Sequence, residues 1–390
     1  MSEIFTPSQP LKESKIFAGR EKERSIFTKA LSSFGRQIVV FGGRGVGKTS
    51  FVNVLLKDDK NSFVIQCEDS DSIETLADKI FQRIGQSSTS KTMSTSSAAK
   101  AGINLGAINA GGEAIGQIST TENISLGKNV DSIVFALERL ESSGKNFRIV
   151  FDEVDKITDL KTKSDLARLI KAFSDRLQKT KIIFVGVAEV VKDLLELHPS
   201  NTRSLLDIEL KPMSEADLKD IITKAESSLG FSFEIGLKEK IVAISEGLPF
   251  FVHLLGEGIE INHKEGRVAQ ENEFDKYAIP HAYENANHSL NKKYEEIVRA
   301  SDIQKSILWI CAQFLSKTEI RRKDIKVAYE ELIGQKVTDQ SLSQPLGSLN
   351  KKGILINIST GFYKFQDPMF KIYCNIARRK DPDQTSFFPS

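Results

Sequence analysis

Cysteine is scarce in this chain: Cys67, Cys311 and Cys374 are the only three among 390 residues. None stands at metal-ligand or redox spacing from another, and three are too few for a disulfide scaffold. The pattern fits a reducing compartment, with the thiols as ordinary core residues. Long hydrophobic runs are also missing. Nothing approaches the roughly 20 apolar residues of a membrane span. The opening MSEIFTPSQP has neither the basic start nor the apolar core of a signal peptide. The expectation is a soluble cytoplasmic protein with no membrane partner. Nor is there an excess of one charge: 54 Lys and Arg against 52 Asp and Glu leave a net charge of +2, which points to no particular partner. What is present is ordinary for a globular protein, 40% apolar and 27% charged residues, with length for two or three domains.

Periodicity divides the chain. QIVVF at 37–41 is a short apolar run rich in β-branched residues, and SFVIQCE at 62–68, FRIVFDE at 147–153, KIIFVGV at 181–187 and LLDIEL at 205–210 are further strand candidates. Helical patterns lie between them, over 49–56, from the Asp71-Ser72 cap to about 84, over 164–178 and over 188–197. Alternating strands and helices predict an α/β fold with a parallel sheet covered on both faces. After Pro212 the strands stop, and Ser214-Glu215-Ala216-Asp217 opens a helical stretch in the manner of a capping box. Three further helices are expected over 301–314, 323–333 and 340–351, the last interrupted by Pro345. Two strands joined at Thr360-Gly361 follow. Three helices and a hairpin predict a winged helix. The expected domains are a core at 1–212, a helical lid at 213–299, a winged helix at 300–377 and a tail at 378–390. Residues 86–127, rich in Ser, Thr, Ala and Gly, are read as an insertion. It is either a mobile loop or one that orders against a partner.

The densest signal is Gly42-Gly43-Arg44-Gly45-Val46-Gly47-Lys48-Thr49, a full match to GxxxxGK[ST] between a strand and a helix. Glycines let the backbone N–H groups, through that of Ser50, wrap a phosphate. The helix that starts here turns its positive end to the same anion. Lys48 is expected at the β- and γ-phosphates and Thr49 at Mg²⁺. Such a loop needs a carboxylate at another strand end, and RIVFDE supplies Asp152 for the metal and Glu153 to activate water as general base. The pair favours hydrolysis of ATP over binding alone. Asp155 is read as holding the turn that follows.

Together these residues resemble an AAA+-type P-loop ATPase, in the neighbourhood of the STAND ATPases and the origin-recognition initiators. Four further stretches carry the resemblance: IFTPSQP with IFAGREKE near the start, ELHPSNTRS at 196–204, SEGLPFFVHLLG at 245–256 and FYKFQDPMFKIY at 362–373. The resemblance implies strand order 5-1-4-3-2 and an N-terminal segment over the adenine side of the pocket. It also implies ATP held at a subunit boundary of a homo-oligomer, with Arg203 either a finger reaching the neighbour's γ-phosphate or a surface arginine pairing with Glu196 or Asp207. Gly247 and Pro249 of the lid would then touch the nucleotide. His253 either reaches phosphate or packs within its helix. One departure stands out: Val185-Gly186-Val187-Ala188-Glu189 lacks the Asn, Ser or Thr that holds the attacking water in such enzymes. That favours a slow switch over a processive motor.

Residues 291–390 hold about 17 Lys and Arg against 11 Asp and Glu, concentrated at Arg321-Arg322-Lys323, Lys351-Lys352 and Arg378-Arg379-Lys380. A winged helix so edged suits double-stranded DNA, though such modules also dock proteins. Three functions are therefore in view. The first is an ATP-driven switch controlling self-assembly or engagement of a protein partner. The second is an ATP-gated DNA-binding protein of initiator or transposition-regulator type. The third is the ATPase of a host-defence system that acts through protein contacts.

Overall fold

A computed structural model describes residues 4–13, 15–84, 101–103, 124–187, 203–263, 267–315 and 319–380. The expected helix over 188–197 and most of the 86–127 insertion lie outside the described residues. Within the insertion, only two three-residue strands are described, and they pair antiparallel. Among the described residues no helix is long and apolar enough to cross a membrane. The chain forms two compact units. One comprises 20–43 and 55–210, the other 1–19, 44–54 and 211–390.

The first unit is built on a sheet. In chain order its strands are β1 (Gln37–Gly42), β2 (Ser62–Gln66), the insertion pair β3 (Ala101–Ile103) and β4 (Ile124–Leu126), β5 (Arg148–Asp152), β6 (Lys181–Gly186) and β7 (Leu205–Leu210). Five of them form one sheet in the order β2-β5-β6-β1-β7. Every neighbouring pair is parallel, with Ile38 opposite Ile183 and Val150 opposite Ile183 on either side of β6. Counting only these five, the order is the expected 5-1-4-3-2. Burial follows position. All six residues of central β6 are buried, whereas edge strand β7 alternates, as expected when one face of an edge strand meets water.

Helices α1 (Glu21–Ser32), α3 (Ile73–Arg83), α4 (Val130–Ser142) and α5 (Leu160–Arg176) belong to the same unit; α2 (Lys48–Leu56) follows β1 in the chain. Each of α3, α4 and α5 buries a stripe at helical spacing, such as Ile73, Leu76, Ala77 and Ile80. These stripes share one core with Ile149, Phe151, Ile182 and Phe184. Ser72, Asn129 and Asp159 cap their N-termini, supplying acceptors for otherwise unmet N–H groups. Asp71, read as part of the first cap, instead accepts from Lys79, Thr75 and the Glu68 N–H. Lys181 is fully buried. It donates to the carbonyl oxygens of Ser33 and Arg36 at the end of α1, and burial lowers its pKa to about 8.

The second unit is mainly helical: α6 (Glu215–Leu229), α7 (Ile235–Ser245), α8 (Pro249–Asn262), a π-turn at Phe274–Ala278, α9 (Ile279–Asn285) and α10 (His288–Val298). The Ser214–Asp217 capping box opens α6 as expected. Then come α11 (Asp302–Gln313), β8 (Ile320–Arg321), α12 (Arg322–Ile333), α13 (Asp339–Lys351), β9 (Leu355–Ser359), β10 (Phe362–Phe365) and α14 (Pro368–Lys380). The last three strands form an antiparallel sheet in the order β8-β10-β9. Pro345 does not interrupt α13, which runs through it at the loss of one helical N–H. An aromatic seam joins α9, α10, α11 and α14. Buried Tyr373 stacks on Tyr283 at 5.8 Å and meets Tyr294 edge-on at 5.7 Å. Trp309 donates to the Tyr294 hydroxyl at 2.9 Å. Cys67, Cys311 and Cys374 are buried free thiols, and burial pushes the Cys67 thiol up to about 12.

Candidate functional site

The phosphate-type loop leaves β1 and enters α2 at Lys48. Gly45 and Gly47 have φ of 77° and 89°. Residues bearing a Cβ rarely adopt that conformation, so the motif's glycines are needed for the loop's path. The Phe51 N–H donates to the Gly47 oxygen at 2.9 Å, closing the first turn of α2. Gly43 and Arg44 are exposed, Val46 is buried, and Lys48, Thr49 and Ser50 are half-buried. A loop of this shape ending in a helix N-terminus fits a polyphosphate. Thr49, in the first turn, is of the chemistry that would help hold Mg²⁺.

The carboxylates stand at the end of β5. Asp152 is 4% exposed, and its Oδ1 accepts the Glu153 N–H at 2.9 Å. Glu153 adopts a left-handed φ of 54°, which turns the chain sharply after the strand. The Gln66 amide, at the end of β2, donates to Glu153 Oε2 at 2.6 Å. Lys156 forms an ion pair with the same oxygen. Asp155 lies in the short 3₁₀ turn at Val154–Lys156. A Cβ on Gly186, near the end of β6, would lie 3.1 Å from its Oδ1. Asp155 therefore fills space at that strand end, in keeping with a turn-holding role. A buried aspartate followed by a more exposed glutamate, at the carboxyl end of a parallel strand, suits a metal and water site.

The segment from Gly247 to Phe250 reaches the loop. Gly247 has φ of 84° and packs so closely that a Cβ would meet Pro212, and its oxygen accepts the Met213 N–H at 2.8 Å. Pro249, the first residue of α8, places its Cγ 3.6 Å from where a Gly47 Cβ would be. The next residue, Phe250, donates its N–H to the Gly45 oxygen at 3.4 Å. His253 is buried, and burial lowers its pKa to about 4. Its Nδ1 accepts the Thr6 N–H at 3.2 Å, so this buried imidazole packs within its helix and holds the N-terminal residues. Arg203 is exposed in the turn before β7; Glu189 and Glu196 lie outside the described residues.

Several residues at the site were not singled out by the sequence. Met369, at the start of α14, lies with its Sδ 3.3 Å from the Gly45 Cβ position. Lys371, two residues on, pairs with Glu246 at 2.6 Å and donates to the Phe314 oxygen at 2.8 Å. Leu11 donates its N–H to Ser50, a residue the motif did name, at 3.0 Å. Only the stretch FYKFQDPMFKIY at 362–373 had drawn attention to this helix start, and it carries no sign of its target.

A profile described as Novel STAND NTPase 1 matches residues 9–344. A search of curated proteins finds no match. Among solved structures, the Walker-type ATPase PABY2304 of Pyrococcus abyssi is 20% identical, with 96% of this chain and 99% of that one covered and a TM-score of 0.57. Cdc6p of Pyrobaculum aerophilum is 13% identical over 98% of each chain, with a TM-score of 0.48. The Aeropyrum pernix ORC1 protein, solved in complex with DNA, is 15% identical over 95% and 94%, with a TM-score of 0.46. At these identities the first of these likenesses speaks to the fold alone.

Proposed function

This chain belongs to the Novel STAND NTPase 1 family, and from that premise we propose that it is an ATP-dependent switch that hydrolyses ATP slowly. One observation carries the reading. The phosphate loop is engaged by two other parts of its own unit, through Phe250 to the Gly45 oxygen and through Met369 against Gly45. A nucleotide that reshapes the loop is thereby felt by α8 and by α14. In this reading Gly42 through Ser50 cradle the phosphates and Lys48 neutralises them. Thr49 and Asp152 would hold Mg²⁺, which would supply positive charge against that of the phosphates, and Glu153 would orient and deprotonate water. Arg203 would complete the site of a neighbouring copy, which makes self-assembly the output. Slow turnover follows from Gln66 and Lys156 holding the Glu153 carboxylate, and from a β6 end without a water-binding side chain. Phosphate release from ATP by the wild type, abolished in both Lys48→Ala and Glu153→Gln, is the expected result. Equal release by Glu153→Gln would exclude this role for the residue.

A second reading has its own support. Read as a winged helix, residues 300–377 expose Arg321, Lys323, Lys351, Lys352 and Lys364, beside the polar Gln340 and Gln344 on α13. Arg322 is occupied otherwise: it bonds the Asp339 oxygen and Ser343 Oγ, bracing α12 to α13. Duplex DNA binding that weakens with salt and is lost on neutralising Arg321, Lys351 and Lys352 would favour this reading. No binding at low salt, with or without ATP, would remove it.

A further inference from the structure

The N-terminal residues 4–11 run across two sequence-distant elements of their unit. On α8, the N–H groups of Ile4 and Phe5 donate to the two carboxylate oxygens of Glu260 at 3.3 and 3.0 Å. Thr6 donates to His253, two turns earlier. Phe5 is fully buried, with its ring edge-on to Phe233 and His253. It lies directly over Gly256, where a Cβ would come within 2.7 Å of the ring. At the other end, Leu11 donates to Ser50, the residue after Thr49 of the phosphate loop. Between these anchors the segment lines a cavity of about 340 Å³, walled by Thr6, Gln9, Pro10, Leu11 and Ile16 among others.

All four anchoring hydrogen-bond donors are backbone N–H groups, and the Phe5 ring in the notch at Gly256 adds a side-chain anchor to them. Pro7 and Pro10 reduce its freedom when released. A nucleotide with its phosphates in the loop must extend its sugar and base beyond it, and Ser50 ties the segment down beside the helix start. We propose that residues 4–11 form a strap latched to α8 by Glu260 and by the notch at Gly256, and that this latch sets the rate at which nucleotide leaves. The proposal rests on the reading of the loop as a nucleotide site. Glu260 and Gly256 are then positioning residues: they act through the strap and touch no phosphate.

The test uses the full chain and displacement of a fluorescent ADP analogue, with the affinity for inorganic tripolyphosphate measured in parallel. Tripolyphosphate has no base or sugar for the strap to cover. In Glu260→Ala and Gly256→Ala, ADP dissociation is expected to accelerate by about tenfold, the equivalent of one hydrogen bond to a charged group. Tripolyphosphate affinity should stay at the wild-type value. Glu260→Gln keeps one acceptor oxygen and should restore part of the slow rate; Phe5→Leu keeps a filled notch and should lie between wild type and Gly256→Ala. Unchanged dissociation in all four variants would overturn the proposal. So would a loss of tripolyphosphate affinity in step with ADP, since that marks a general structural defect. A wild type that binds neither probe would overturn the nucleotide reading, and the strap with it.

Discussion

Lys371 of α14 and Glu246, the residue that ends α7, form an ion pair at 2.6 Å, with side chains only 8% and 14% exposed. Glu246 is left-handed at φ 43° and directly precedes Gly247-Leu248-Pro249. The pair therefore joins the turn that carries Pro249 to the helix that carries Met369, and both of those side chains lie against the phosphate loop. Removing one partner of a buried pair strands the other charge, at a cost of about 3–5 kcal/mol. Lys371→Met should lower stability by that order in denaturant unfolding. Adding Glu246→Gln should recover part of the loss. A double variant less stable than Lys371→Met alone would contradict the coupling.

The loop's glycines offer a second test. Gly45→Ala and Gly47→Ala each force a Cβ into a left-handed conformation, at a cost of about 1–2 kcal/mol per residue, and Gly45→Ala also crowds Met369. Nucleotide affinity should fall at least tenfold in each, while the circular dichroism spectrum stays native. Wild-type affinity in Gly47→Ala would show that the loop's shape does not serve the phosphates.

His253 predicts an acid effect. Its folded pKa is depressed to about 4 by burial, against about 6.5 in an unfolded chain. Between those values the unfolded state binds a proton that the native state does not, so stability rises with pH through the window. The contribution is full above pH 6.5 and is lost as pH falls toward 4, on the order of 3 kcal/mol. His253→Asn keeps an acceptor for the Thr6 N–H but does not titrate. Its melting temperature should fall less steeply between pH 6.5 and 4 than that of the wild type. Parallel profiles would refute the assignment.

Glu153 is held by Gln66 and Lys156. If it activates water, those bonds lower its availability. Gln66→Ala with Lys156→Ala should raise the basal hydrolysis rate severalfold with little change in KM. A lower rate would mean that the two residues aim the carboxylate toward its task.

Much of this was legible in the sequence because it is local. The five strands of the main sheet are short, mainly apolar runs set between helical patterns, and the Gly42–Thr49 spacing announces its loop. Ser214 and Asp217 mark a helix start within four residues. Two helices went unread: α1, and α4 beside the low-complexity stretch. Strand β8, two residues long, has no period to detect. The contacts that complete the site link distant positions. Phe5 meets Gly256, Met369 meets Gly45, and Lys371 meets Glu246. Periodicity reports which face of an element is apolar and says nothing of which distant residue will cover it. Arg322 shows the converse. A cation counted with a basic edge proves to be a brace between two helices.

The most direct test of the switch is the mass of the protein in solution, by light scattering, without nucleotide, with ADP, and with ATP and Mg²⁺, for the wild type and Glu153→Gln. Growth into a discrete oligomer with ATP and Mg²⁺, persistent in Glu153→Gln and absent in Arg203→Ala, is the predicted result. A monomer in every state would contradict a switch whose output is self-assembly.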